Sequence, residues 1–274
     1  MEKFKVAVVG ATGMVGRKML QVLAERKFPV GELYPFASAK SAGSKIVWEG
    51  KEYTVLETNE ENIKKVGAQI VIMSAGGKAS GIYSPMFAAA GGIVIDNSAY
   101  WRMDDQVPLV VPEVNPEDAF KHPKGIIANP NCSTIQAMVA LAPLHKAFGI
   151  KRVIYTTFQA VSGAGVKGYA DLENGLKAEV EGTEMPALQK FPHPIAGNCL
   201  PEIDVLLDNG YYKEEQKMID ETHKIMHAPE IKVTATCVRV PVFYGHSESI
   251  NVEFEKPATP EEVRKVLSDV PRLI

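Results

Sequence analysis

Lys5-Val6-Ala7-Val8-Val9-Gly10-Ala11-Thr12-Gly13-Met14-Val15-Gly16 decides the fold of this chain. A short apolar run suited to a buried strand leads into three glycines. Val15, Met19, Leu20, Val22 and Leu23 then supply the apolar positions of a helix reaching about Ala24. Strand, glycine turn and helix in this order form the context in which a dinucleotide is bound. The glycines allow a tight turn, let a pyrophosphate approach the backbone, and let the helix pack closely on the strand. The spacing is G-x-x-G-x-x-G rather than G-x-G-x-x-G, so taken alone it is also compatible with a βα turn that binds no nucleotide.

Working outward, Leu33–Ala37 reads as a second strand, followed by Ala37-Ser38-Ala39-Lys40-Ser41. An NAD site usually places Asp or Glu here for the ribose hydroxyls. Two hydroxyls and a cation instead suit a 2′-phosphate, which favours NADP over NAD; a polar loop with one solvated lysine is the alternative. Further strands are expected at Gln69–Met73, before Ser74-Ala75-Gly76-Gly77, and at Gly92–Asp96, before Asn97-Ser98. Leu109–Val111 and Ile126–Ala128 complete the set. Small or polar residues follow each strand, where open α/β sheets bind ligands. The expected fold class is an α/β Rossmann-type nucleotide-binding domain over residues 1–128 plus an α+β domain over 129–274. In the latter, Arg152–Ala160, Ile231–Phe243 and Ser249–Glu255 read as strands and Glu214–Met226 as a helix.

Composition narrows the class. The chain has 274 residues, 46% hydrophobic and 23% charged, with a formal net charge of −3. This argues against a nucleic-acid footprint or a polybasic membrane patch. No apolar run approaches the ~20 residues of a membrane helix. The first strand begins almost at Met1, which predicts no signal peptide. Three cysteines, Cys132, Cys199 and Cys237, form neither a disulfide framework nor a metal-ligand pattern. A reducing cytoplasm fits best.

The chemistry centres on Asn129-Pro130-Asn131-Cys132-Ser133-Thr134-Ile135-Gln136. Ser133 and Gln136 have the spacing of a capping box, which predicts Cys132 one residue before the cap of a helix. There the positive end of the helix dipole favours a thiolate, the nucleophilic form. Of six histidines, His246 stands out: it follows Gly245 in a loop between two expected strands. Arg239 lies within an apolar strand, where a guanidinium needs a partner; a carboxylate clamp and an internal ion pair are both open. Glu221 and Lys224 share a helix face and by themselves are best read as a solvated salt bridge. Arg102 follows a strand end in a position to meet an anion.

These segments, with Gln159 and Ser162-Gly163-Ala164-Gly165, occur together and in order over essentially the full chain. As a set they resemble the aspartate-β-semialdehyde dehydrogenase family. The resemblance implies NADPH-dependent reduction of L-aspartyl-4-phosphate through a cysteine thioester, serving lysine, threonine and methionine synthesis. Cys132 would be the nucleophile, His246 the general acid/base, and Gln159 would orient the substrate. Arg239 would bind the α-carboxylate and Glu221 would meet the α-amino group. Arg102 and Lys224, with Asn131, would hold phosphate. The Asn131 side chain and the Cys132 N–H are expected oxyanion donors. Gly10, Thr12, Gly13, Met14, Val15, Ser38, Ser41, Ser74, Ala75, Gly76 and Gly165 would line the NADP site, with no metal. A homodimer or homotetramer is implied, its interface on the sheet of the second domain.

The alternative is N-acetyl-γ-glutamyl-phosphate reductase, which also reduces an acyl phosphate through a cysteine; the surroundings of Cys132 and the Arg239–His246 pair favour the aspartyl enzyme. Family members usually continue for several tens of residues beyond the position of Ile274, with a helix that returns to the first domain. A non-catalytic nucleotide-binding form lacking that helix is the other alternative.

Overall fold

The computed structural model describes residues 2–270, arranged as two compact units, Met1–Pro130 and Asn131–Ile274. In the first unit β1 (Phe4–Val9) is followed by α1 (Met14–Glu25) and β2 (Val30–Ala37). A hairpin of β3 (Lys45–Trp48) and β4 (Lys51–Thr54), a short β5 (Leu56–Glu57) and α2 (Glu60–Val66) come next. The unit continues with β6 (Ile70–Met73), α3 (Gly77–Ala89), β7 (Ile93–Asp96) and β8 (Ile126–Ala128). Six strands form one parallel sheet in the order β5-β2-β1-β6-β7-β8. The expected strand at Leu109–Val111 is absent: Leu109 makes a single bridge to Ala128, and Pro112 ends the extended run.

Sequence pattern accounts for these elements. Val6, Ala7, Val8 and Val9 are fully buried, as strands covered on both faces must be. Leu20 and Leu23 of α1 pack with Val6, Val8, Leu33 and Trp48, and the Trp48 indole N–H donates to the Leu20 carbonyl at 2.7 Å. The glycine turn is set by contact. A Cβ on Gly16 would lie 2.2 Å from the Gly10 carbonyl oxygen. Gly10 itself has φ +83 and would drive a Cβ to 2.3 Å from the Ser74 carbonyl oxygen.

The second unit comprises α4 (Cys132–Phe148), β9 (Ile150–Gln159), α5 (Gly165–Glu181), α6 (Lys213–Met226), β10 (Lys232–Arg239), β11 (His246–Phe254) and α7 (Pro260–Ser268). Its sheet has the order β10-β9-β11, with β10 parallel and β11 antiparallel to β9. Consecutive strands β10 and β11 therefore flank β9 instead of pairing with each other. Ser162–Gly165, expected as a loop, is a 3-10 turn that runs into α5, a helix that its glycine content hides.

Replacing Gly16 with Ala should overpack the turn and cost about 1–3 kcal/mol. The check is urea denaturation of G16A against the parent chain; an unchanged midpoint would mean that α1 does not approach the turn this closely.

Candidate active site

Asn131, not Ser133, caps α4. Its Oδ1 accepts from the N–H groups of Ser133 at 2.9 Å and Thr134 at 3.3 Å. Cys132 is thus the first helical residue, two positions further in than the Ser133–Gln136 spacing predicts. Asn is as good a cap as Ser. Here the Ser133 hydroxyl is buried, and Gln136 turns to Glu248 instead of back to the helix start. Cys132 still sits at the positive end of the helix.

Two carboxylates of α6 hold this cap. Glu221 accepts from the Asn131 N–H at 2.6 Å, and Glu214 accepts from its Nδ2 at 2.8 Å. The two glutamates are seven residues apart and share one helix face. Both ends of the Asn131 amide therefore serve the fold. Glu214 engages one Nδ2 hydrogen, and the expectation that this side chain meets phosphate or an oxyanion through the second stays a proposal.

Cys132 Sγ lies 3.1 Å from His246 Nε2. His246 is the first residue of β11 rather than a loop residue. Its Nδ1 accepts from the Ala160 N–H at 3.0 Å. A backbone N–H can only donate, so the neutral ring is assigned its proton on Nε2, facing the sulfur. Burial, with Arg239 adding to it, holds the His246 pKa below its ordinary value; the Gly245 backbone and Glu214 oppose this.

Sheet register sets three expected residues side by side. Gln159 on the central strand pairs with Arg239 on β10 and with His246 on β11. Gln159 is fully buried; its Nε2 donates to Thr157 at 3.1 Å, and its Oε1 has no partner. Arg239, 6% exposed, donates from Nη1 to the Ala160 carbonyl at 2.7 Å, while its Nε is buried without an acceptor. A Cβ on Gly163 would lie 3.1 Å from Arg239 Nη1 and 3.6 Å from His246 Nε2. Among the described residues, the buried side-chain polar atoms without a partner are Ser133 Oγ, Thr134 Oγ1, Gln159 Oε1, Arg239 Nε and Glu248 Oε2. All five belong to the second unit, on α4 and on the three strands. Folded proteins leave few such atoms, so their concentration here marks a site built for an outside group.

Arg239 borders a cavity of about 600 Å³ together with Glu214 and Lys217. These two residues, not Glu221 and Lys224, share the cavity with the guanidinium. Glu221 is 1% exposed and engaged with Asn131. Lys224 is in the last turn of α6, where the helix dipole favours a cation. The i, i+3 spacing recurs seven residues earlier, at Glu214 and Lys217, and that repeat is the signal the sequence reading passed over. Burial works against the Glu214 carboxylate, but Lys217, the Asn131 amide and Arg239 outweigh it and hold its pKa below the usual range. Burial likewise opposes the Lys217 charge, and Glu214 with Asp204 raises its pKa. The cavity's remaining wall includes Lys190, Phe191 and Pro192. Asp171 fixes this segment, its carboxylate accepting from the N–H groups of Gln189 (2.8 Å), Lys190 (2.8 Å) and Phe191 (3.1 Å). Cys237, by contrast with Cys132, is a core thiol, and burial pushes it up to about 12.

In the first unit, Gly10, Thr12, Gly13, Ser38, Ser74 and Ala75 line a cavity of about 490 Å³. Met14 and Val15 open α1, Ser41 closes a 3-10 turn and Gly76 caps α3, but none of them borders it; Gly165 belongs to the second unit. Glu57 does border it, because β5 pairs with β2 and sets Glu57 beside Ala37. An acid is therefore present near the end of β2, supplied by a different strand. Arg102 is buried, donating from Nε to the Asn129 carbonyl at 2.9 Å and from Nη2 to the Asn97 carbonyl at 3.2 Å.

A nucleotide-type cavity in a parallel sheet and a cysteine–histidine pair beside a buried arginine describe a thiol-dependent dehydrogenase, and comparison with known proteins agrees. Residues 5–122 match the model of the semialdehyde dehydrogenase NAD binding domain, and residues 141–273 that of the semialdehyde dehydrogenase dimerisation domain. The chain is 60% identical to aspartate-semialdehyde dehydrogenase of Aquifex aeolicus, over 99% of this chain and 80% of that one. It is 47% identical to the Bacillus subtilis enzyme of that name, over 97% of this chain and 78% of that one. Among solved structures, it is similar to Vibrio cholerae aspartate semialdehyde dehydrogenase II complexed with ASA, with TM-score 0.94 and 46% identity, over 98% of this chain and 80% of that one. It also resembles the Candida albicans enzyme with NADP, with TM-score 0.74 and 29% identity, over 98% and 76%. The chain belongs to the aspartate-semialdehyde dehydrogenase family.

Asn131→Ala should cost about 1–2 kcal/mol through the lost cap, read by urea denaturation, and should slow alkylation of Cys132. Wild-type stability would mean that the Asn131 side chain does not cap α4.

Proposed function

We propose that this chain interconverts L-aspartyl-4-phosphate and L-aspartate-4-semialdehyde with NADP, through a thioester on Cys132. The observation that carries the reading is Arg239: a buried guanidinium with an unsatisfied Nε, beside Glu214 and Lys217 in one cavity. Together they present a cation for a carboxylate, an anion for an ammonium and a second cation for a phosphoryl group. That is the charge pattern of an amino acid activated on its side chain. The printed names of the relatives support the same substrate.

The nucleotide fits the first unit on the chain's own geometry. The Gly10–Gly13 turn borders the cavity with bare backbone, and no side chain can be added at Gly10 without meeting Ser74. NADP, when bound, accepts or supplies the hydride. Ser38, with Lys40 and Ser41 in the loop after β2, is our candidate for the 2′-phosphate. Glu57 is suited to a ribose hydroxyl.

The second unit supplies the rest. Cys132 thiolate, stabilised at the start of α4, adds to the acyl carbon. The oxygen that becomes an oxyanion needs donors already in place; the His246 Nε2–H and the Cys132 backbone N–H are suited to this. Because the His246 ring is neutral, it hydrogen-bonds the thiolate, then exchanges its Nε2 proton with the carbonyl oxygen as tetrahedral adducts form and collapse. Gln159, fixed by Thr157, orients the acyl oxygen with its own amide. Glu214 and Lys217 take the α-amino and phosphoryl contacts. Glu221 acts on the site through Asn131, as a positioning residue.

We place the chain in the cytoplasm as a homodimer or homotetramer. Three free cysteines fit a reducing compartment, and among the described residues no helix is long and apolar enough to cross a membrane. The dimer face is assigned to the sheet of the second unit, where Phe158 on β9 is 43% exposed.

With aspartate-4-semialdehyde and phosphate, the chain should reduce NADP, and Cys132→Ala should abolish this while NADP binding persists. Turnover by C132A would refute the nucleophile, and no turnover by the parent chain with NADP bound would refute the reaction. Arg239→Lys keeps the charge but loses the fork; we expect a loss of about 3 kcal/mol, roughly a hundredfold in kcat/KM. A value unchanged from wild type would remove Arg239 from the substrate site.

A further inference from the structure

Below the row Arg239–Gln159–His246 the register defines a second row on the same face of the sheet: Cys237 on β10, Thr157 on β9 and Glu248 on β11. Helix α4 repeats this step. Gln136 is one turn on from Cys132, so both present to the same side. The contacts form two rungs between α4 and β11. The upper is Cys132 Sγ to His246 Nε2 at 3.1 Å, and the lower is Gln136 Nε2 to Glu248 Oε1 at 2.8 Å. Gln136 Nε2 also reaches the His246 carbonyl at 3.4 Å, tying the lower rung to the upper.

We propose that Gln136 and Glu248 are positioning residues that set the Cys132–His246 contact by fixing the first turns of α4 against the start of β11. The assignment rests on the Cys132 chemistry proposed above, and nothing in that chemistry requires either residue.

Glu248 is not an ordinary surface acid. Its Oε2 is buried with no partner, and among the described residues no cation is paired with it. It bonds Gln136 on α4 and follows His246 by two residues on its own strand, while Tyr155 on β9 and Cys237 on β10 feel its charge. Burial pushes its carboxyl up to about 7, with Gln136 opposing. The brace therefore changes charge near neutrality. The folded state holds the proton that the unfolded chain releases around the ordinary glutamate value of 4.5, so this group's contribution to stability is full below that value and is lost as pH rises through about 7. The lower rung is then acid-to-amide below the transition and charge-assisted above it.

The test uses the full chain and two readouts, alkylation of Cys132 by iodoacetamide, which needs no substrate, and turnover. Gln136→Ala and Glu248→Ala should each lower kcat about tenfold, as expected for a misplaced reacting pair, with KM for the semialdehyde within about twofold. Both should shift the pH midpoint of Cys132 alkylation. The double variant should match the singles, as coupled residues do. Glu248→Gln, whose amide oxygen can still accept from Gln136, should restore most of kcat but lose the inflection near pH 7 in both the rate and the Tm profiles. Alkylation profiles and kcat identical to wild type in Q136A and E248Q would overturn the proposal. So would a loss confined to KM, or strict additivity in the double variant. If E248A does not fold, Q136A and E248Q decide the matter alone. If the parent chain shows no turnover, the reaction assignment fails separately, and the alkylation arm still tests the brace.

Discussion

Everything in the second unit depends on the register of its central strand. Gln159 is fixed opposite Arg239 on one side and His246 on the other, so hydrogen bonding of the ladder brings a guanidinium, an amide and an imidazole to one level. Side-chain direction in a strand alternates with a period of two. A slip of one residue would turn His246 to the opposite face and bring Gly245 in its place. The fully buried Tyr155, four residues back along β9, anchors the central strand through its packed site and its bond to Thr222.

A second constraint is electrostatic. Helix α6 contributes four charged groups with divided tasks. Glu221 and Glu214 hold Asn131, Glu214 and Lys217 enter the cavity, and Lys224 closes the helix. Glu214 belongs to both sets. It neutralises part of the Lys217 and Arg239 charge and, through Asn131, helps orient the turn that begins with Cys132. A carboxylate buried to this degree is tolerable because Asn131 and Lys217 donate to it and the Arg239 charge lies nearby.

Much of this was legible in the sequence. The βα turn, the cysteine segment and the strand carrying Arg239 each have strong local patterns, and their partners lie where the ladder of a small sheet must put them. Other features were hidden for physical reasons. The β3–β4 hairpin turns on Glu49-Gly50, with φ +47 and +74, and Glu is not a residue that announces such a turn. The cap of α4 went to Asn131 because tertiary contacts with α6 determine which of three capping residues is free to act. Glu214 and Glu221 occupy equivalent positions two turns apart, so helical periodicity cannot say which one faces a cavity. Glu57 reaches the end of β2 through strand pairing, a relation that no local pattern encodes.

The wall formed by Lys190, Phe191 and Pro192 belongs to no helix or strand, and its course is held by three main-chain hydrogen bonds to Asp171. Main-chain bonds are indifferent to side-chain identity. The side chains at 189 and 190 can therefore be exchanged without loosening these bonds, while Phe191 also packs against Val161, Leu172 and Ile195, and Arg239, Gln159 and His246 stay locked in the ladder. The proposed reacting groups and this stretch of cavity wall are thereby held by separate means: one by strand register, and the other by main-chain bonds to a single carboxylate. A lineage needing a longer or differently charged substrate has a place to change that leaves the reacting groups untouched.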